Sequence, residues 1–237
     1  MRPGIFAKTF AGGSLEASLD AVAASGVRAM QFNLALTSGP SLPDDVPPGL
    51  AAWVRDSVRA RGLEMVAVSG TCNLAHPSHD VRRHGLAALD ALIAAAPALG
   101  TRVVTLCTGT RDPDDMWRWH PANATREAWA DMLGSIGYVV ELAERHDVTV
   151  AFEPESANVV ADAHAGRRLL DEIDSPRLKV VIDAANLIRS DELDRQVKTL
   201  ERAFGLLGDD LVLAHAKDVR ADGKIVPAGQ GELDYAR

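Results

Sequence analysis

Seven times along this chain a short β-branched or apolar run gives way to a Gly- or polar-rich loop, then to an Ala/Leu-rich amphipathic stretch. The runs are GIFAKTF from Gly4, AMQFNL from Ala29, EMVAVSG from Glu64, RVVTLCTG from Arg102, VTVAFEPE from Val148, LKVVIDAAN from Leu178 and LVLAHAKD from Leu211. Among the intervening segments, SLEASLDAVAASG offers Ser14 as a helix N-cap and Gly26 as its stop. DVRRHGLAALDALIAAAPALG stops at Gly100, and TREAWADMLGSIGYVVELAERH closes on a basic last turn. Strands that alternate with helices predict a parallel sheet, because each parallel crossover needs a helix. With no Pro/Ser-rich linker or low-complexity tract, one α/β domain over residues 1–237 is expected. Such a sheet is either open and doubly wound or closed as a (β/α)₈ barrel. The first strand-to-helix turn, AKTFAGGS, lacks the G-x-G-x-x-G phosphate fingerprint, which favours the barrel. An eighth βα unit is missing: after PAGQGELDYAR the sequence stops.

Bulk properties exclude several classes. The formal net charge of −8 argues against nucleic acid and anionic membranes, which are themselves negative. Cys72 and Cys107 are too few for a disulfide framework and suit a reducing compartment. The opening MRPGIFAKTFAGG has no apolar h-region, and no apolar run reaches membrane-spanning length. A cytoplasmic protein is the expectation. Neither cysteine has a His or Asp at a spacing that suggests a nucleophile, so both read as small buried residues.

In either architecture the active site lies at the carboxyl ends of the strands. The fifth run ends in Glu153 and Glu155, the sixth in Asp183 with Asn186 beyond it, and the seventh in His215 with Lys217. The third leads to Asn73 and His76; the fourth leads to Arg111, Trp117 and His120. Two carboxylates and one imidazole from three successive strand ends make an oxygen and nitrogen donor set for a hard-to-borderline cation. Glu153, Asp183 and His215 are therefore the expected metal ligands. Glu155, Asn158, Asn186, Asn73, His76, Arg111, Trp117, His120 and Lys217 are the expected substrate contacts, Trp117 as an aromatic platform for a sugar.

FEPE with Asn158, VIDAANL, and HAKD followed by PAGQGELDY together resemble the sugar phosphate isomerase/epimerase superfamily with the xylose isomerase-like TIM barrel. Its relatives include ketose 3-epimerases, inosose dehydratases and endonuclease IV. The resemblance implies a divalent metal, Mn²⁺ first, with Co²⁺, Zn²⁺ or Mg²⁺ as alternatives. In the family, Glu, Asp and His on strands 5, 6 and 7 hold it with a Glu on strand 8. The first three match Glu153, Asp183 and His215, and Glu153 is also the implied proton carrier. Three departures stand out. Asn186 replaces a common His, KD and then Ala221 stand where the family has an Arg a turn beyond the strand 7 His, and no strand 8 Glu is present. The natural chain is accordingly expected to continue past Arg237.

These residues predict a metal-dependent isomerase or epimerase that moves a proton next to a carbonyl of a small sugar, ketose or polyol. A sugar or inosose dehydratase and a non-catalytic sugar-binding barrel are the alternatives. Endonuclease-like DNA repair is disfavoured by the acidic balance and by only 7 scattered histidines. The resemblance further suggests a homodimer.

Overall fold

The computed structural model describes residues 2–10 and 12–235. Seven strands form one sheet in the order β1 to β7: Gly4–Phe6, Ala29–Phe32, Glu64–Ser69, Val103–Cys107, Thr149–Glu153, Leu178–Asp183 and Leu211–His215. Strand order equal to chain order is what repeated βα crossovers produce. β1 pairs in parallel with β2, β2 with β3, β3 with β4, and β6 with β7. The α-helices are α1 (Leu15–Ala24), α2 (Pro48–Ala60), α3 (His79–Leu99), α4 (Arg126–His146), α5 (Ala163–Ile173), α6 (Ala184–Leu187) and α7 (Gln196–Leu207). Among the described residues no helix is long and apolar enough to cross a membrane.

Local chemistry sets the helix ends. The Ser14 hydroxyl accepts the Ala17 N–H at 3.2 Å to open α1, and Gly26 leaves it at φ +82°. Asp162 caps α5 in the same way through the Ala165 N–H at 2.8 Å. All seven strands are shorter than the runs read for them, and in the first and the seventh the backbone changes course. The first ends at Phe6, and Ala7–Phe10 coil into a 3-10 turn, because Ala7 and Lys8 bring little strand preference.

The chain divides into two compact units: Met1–Cys72, His79–Leu106 and Gly137–Val150 form one, and Asn73–Ser78, Cys107–Ile136 and Ala151–Arg237 the other. The first buries Leu19, Val22, Met30, Phe32, Val54, Leu89 and Ile93. The second buries Phe152, Val160, Leu169, Val180, Ile182, Ala203 and Leu207.

The seventh strand lies in the second unit. LVLAHAKD breaks after His215, and β8 (Lys217–Val219) turns away to pair antiparallel with β9 (Ile225–Pro227). The cause is the fully buried Asp218 carboxylate. One of its oxygens accepts the N–H of Val219 at 2.9 Å and of Leu233 at 3.0 Å. The other accepts Gly229 at 3.0 Å and Gly231 at 2.9 Å. A side chain at Gly231 would run into that carboxylate and stand 2.6 Å from the Val219 carbonyl oxygen. Gly231 of PAGQGELDY is thus the space into which Asp218 is received.

Candidate metal centre

Everything in the site belongs to the second unit. Asp183 and His215 are register partners on β6 and β7, so the pairing itself brings a carboxylate and an imidazole to one level. Glu153, the last residue of β5, completes the group. Donor atoms of Glu153, Asp183 and His215 lie within 4.8 Å of one another, a set that could hold a metal ion.

Their partners are specific. His215 Nδ1 stands 2.9 Å from Glu153 Oε2, and Asn186 Nδ2 donates to Glu153 Oε1 at 2.5 Å. The Lys217 ammonium lies 3.1 Å from Asp183 Oδ2 and 3.8 Å from Glu153 Oε1, and donates to Asn186 Oδ1 at 3.2 Å. Asp183 is fully buried; its Oδ1 caps α6 through the Ala185 N–H at 3.0 Å. Its Oδ2 accepts no aligned hydrogen bond, so the ammonium is a counter-charge at ion-pair distance only. Glu155 extends the network, accepting from Asn158 Nδ2 at 3.1 Å.

The charges are uneven. Burial pushes the Glu153 carboxyl up, but the His215 hydrogen bond, the His215 and Lys217 charges and the Asn186 amide together hold it below its ordinary value. Glu155 moves the other way, raised by burial and by the Glu153 charge. Burial also raises Asp183, against the pull of Lys217. Burial alone would lower Lys217, but the Glu153 and Asp183 charges outweigh it and keep it an ammonium. A held ammonium is no Schiff-base nucleophile.

A divalent cation fits this donor set. The buried, hydrogen-bond-poor Oδ2 of Asp183 is the kind of atom a cation satisfies, and the ammonium beside it shows that the cluster selects positive charge. The 2.9 Å between His215 Nδ1 and Glu153 Oε2 is close to the edge of about 3 Å in an octahedron with ~2.1 Å bonds. Carboxylate and imidazole donors suit Mn²⁺, Co²⁺, Zn²⁺ or Mg²⁺.

The other expected substrate contacts are drawn into loop architecture. Asn73 Oδ1 accepts the N–H of Ala75 at 3.2 Å and of Thr110 at 3.0 Å. His76 Nδ1 accepts the Ser78 N–H at 3.0 Å, and its Nε2 is 3.1 Å from the Pro113 carbonyl. Arg111, only 8% exposed, pairs with Asp131 at 2.7 Å and Glu127 at 3.3 Å. His120 Nδ1 accepts the Ala122 N–H at 3.2 Å. Asn158 Oδ1 takes a short hydrogen bond from Gly109 N, where φ is +81° and an added Cβ would meet Asn73. Trp117 has an exposed side chain, and its backbone N–H donates to Asp115 Oδ1 at 2.9 Å. In the first unit, burial pushes the Cys72 thiol up to about 12, which rules out a ready thiolate.

Sequence reasoning placed Asp218 at the end of the seventh strand without a role, and missed Tyr235, whose hydroxyl donates to the Lys217 carbonyl, and Trp119. A pair of indoles two apart in MWRWH was a signal for an aromatic wall, but not for which of the two forms it.

The profile of a family described as xylose isomerase-like TIM barrel matches residues 19–237. No curated protein matches the chain. Among solved structures, apo 3-keto-D-glucoside 4-epimerase YcjR from E. coli is similar at 14% identity and TM-score 0.75, over 100% of this chain and 84% of that one. The probable 3-DHS dehydratase AsbF from Bacillus anthracis is similar at 14% identity and TM-score 0.74, over 100% of this chain and 86% of that one. D-psicose 3-epimerase from Clostridium cellulolyticum H10, with D-tagatose, is similar at 14% identity and TM-score 0.65, over 90% of this chain and 84% of that one. At these identities the likeness is one of fold.

Proposed function

The chain belongs to the xylose isomerase-like TIM barrel family, and from that premise we propose that it is a divalent-metal-dependent sugar isomerase or epimerase. The observation that carries this reading is the meeting of Glu153, Asp183 and His215 donor atoms at the ends of three consecutive strands. That epimerases are among the structural neighbours is consistent with it.

Glu153, Asp183 and His215 would hold the cation, which when bound would polarise a carbonyl and raise the acidity of the adjacent carbon. Glu153, kept ionised by His215 and Asn186, takes the proton from that carbon; in isomerisation it returns a proton to the former carbonyl carbon, and in epimerisation solvent returns one to the same carbon from the opposite face. Asn186 and His215 fix the orientation of the carboxylate, and Lys217 balances the local excess of negative charge. Glu155, its carboxyl raised by burial and by the Glu153 charge, is placed to contact a substrate oxygen. The same carboxyl beside an ionised base favours a second reading, a dehydratase, in which Glu155 protonates a departing hydroxyl.

Incubation of Mn²⁺-loaded protein with a panel of ketoses in D₂O, followed by NMR, tests the reading. Deuterium at the carbon next to the carbonyl, with a new epimer or isomer, is expected. Product lacking the elements of water would replace isomerase with dehydratase. No exchange into any member would leave a sugar-binding protein.

Metal binding has its own signature. Mn²⁺ at one hundred times its Kd is expected to add about 2.7 kcal/mol to the folded state. That is a rise of roughly 5–10 °C in Tm at the ~2–4 °C per kcal/mol typical of a chain this long. Differential scanning calorimetry with and without Mn²⁺ checks it; an unchanged Tm would count against a metal centre. The rise should shrink as pH falls, because protons compete for the same ligand atoms.

A further inference from the structure

Beside the acidic cluster the second unit holds an open cleft of about 600 Å³, lined by none of Glu153, Asp183, His215 or Lys217. Its walls follow the same strand ends. Ser156 comes directly after Glu155, Ala185 lies two residues past Asp183, and Val219 lies two past Lys217. Hydrogen bonds tie wall to cluster: Ser156 N donates to Asn186 O at 3.2 Å, and Ala185 N to Asp183 Oδ1 at 3.0 Å. The volume sits inside the range of roughly 300–1,000 Å³ over which pockets enclose a whole ligand, so it has room for a ring rather than a single substituent.

The lining has two characters. Trp119 offers an indole 58% exposed, with Ile225 also exposed and Val219 buried. An exposed indole in a cleft is a platform for the C–H face of a flat, amphipathic ring. Arg189 and Asp191 form a two-point pair, Nε to Oδ1 at 3.0 Å and Nη2 to Oδ2 at 3.3 Å. A guanidinium has five N–H donors and a carboxylate about four acceptor sites, so the pair retains both kinds for hydroxyl groups. These two are the sole charged residues of the lining and cancel one another. A phosphate would find no uncompensated cation there.

We propose that this cleft binds a neutral second sugar ring, so that the substrate class is a glycoside or disaccharide rather than a free or phosphorylated monosaccharide. The inference rests on the sugar-active reading above.

The test is isothermal titration of the intact protein with glucose, glucose 6-phosphate, and three disaccharides of different linkage: cellobiose, maltose and trehalose. At least one disaccharide is expected to bind about tenfold or more tighter than glucose. Trp119→Ala should bring that ratio near one, and Trp119→Phe, which keeps a ring, should preserve most of it. The proposal is overturned if no disaccharide exceeds glucose, if the ratio survives Trp119→Ala, or if glucose 6-phosphate binds as tightly as the best disaccharide. Circular dichroism of both variants excludes loss of fold. Hydrogen exchange into a ketose without any disaccharide preference would overturn only this assignment. Disaccharide preference without exchange or elimination would overturn only the catalytic reading.

Discussion

Glu153→Gln is expected to slow turnover about 10²–10⁴-fold, the range associated with a positioned proton carrier, and to abolish the Mn²⁺-induced rise in Tm. The substitution keeps the size of the side chain and replaces one carboxylate oxygen with an NH₂ group. Asn186 Nδ2 donates to one oxygen at 2.5 Å and His215 Nδ1 lies 2.9 Å from the other. Turned toward Asn186 the new NH₂ would face a donor, and turned toward His215 it is accommodated only by the tautomer with an unprotonated Nδ1. The variant also loses the negative charge that a cation and a departing proton both require. The folded state should persist, because Lys217 keeps Asp183 Oδ2 at 3.1 Å as its counter-charge. Steady-state kinetics, Mn²⁺ titration by calorimetry and near-ultraviolet circular dichroism form the check. Wild-type turnover in this variant would remove Glu153 from the chemistry, and unaltered Mn²⁺ affinity would remove it from the ligand set.

Asp218→Ala should be the most damaging change outside that cluster. Four backbone N–H groups lose their acceptor at once, and each buried donor left unpaired costs about 1–3 kcal/mol, less any water that reaches it. A total of about 3 kcal/mol or more is expected, a fall of roughly 6–12 °C in Tm at ~2–4 °C per kcal/mol. The damage also reaches the site. β8 carries Lys217, and Tyr235 is bonded to the Lys217 carbonyl from the segment that Asp218 organises. Limited proteolysis after Lys224 should accelerate, and Mn²⁺ should bind more weakly.

The pH dependence of this loss has a definite sign. Burial pushes the Asp218 carboxyl up, but the N–H groups of Leu233, Gly231, Val219 and Gly229 outweigh it and hold it below its ordinary value. A depressed carboxylate stabilises the fold fully above the unfolded pKa of about 3.9, and this contribution disappears as pH falls through the folded value. The Tm gap between native protein and Asp218→Ala should therefore be constant near neutrality and narrow below about pH 4. A gap that widens on acidification would refute the account.

Legibility in the sequence differed between neighbours in the site. Glu153, Asp183 and His215 could be ranked together because each closes an apolar run, and a parallel sheet in chain order must deliver such positions to one end. Arg111 follows the end of β4 by four residues, and its guanidinium reaches Asp131 and Glu127, twenty and sixteen residues further on, at the start of α4. Asn73, thirty-seven residues from Thr110, serves as a loop staple. Their types suit substrate recognition and turn chemistry equally well, and only the folded path says which partners come near. HAKD read as one continuous strand because the four donors that draw Asp218 out of it lie up to fifteen residues away. Trp117 and Trp119 were equivalent in the sequence; the cleft takes Trp119.

Apolar period, caps and punctuating glycines act within a few residues, so the strand-helix alternation, its order and the identity of the residues at each strand end were already set by composition and spacing. Hydrogen-bond partners across dozens of residues, the pairing of Asp183 with His215 at one level, the charge balance around Lys217 and the choice of indole lining the cleft are products of the assembled chain. The reason is physical: a polar side chain commits to whichever donor or acceptor is nearest once burial has removed water as a competitor, and nearness is a property of the fold.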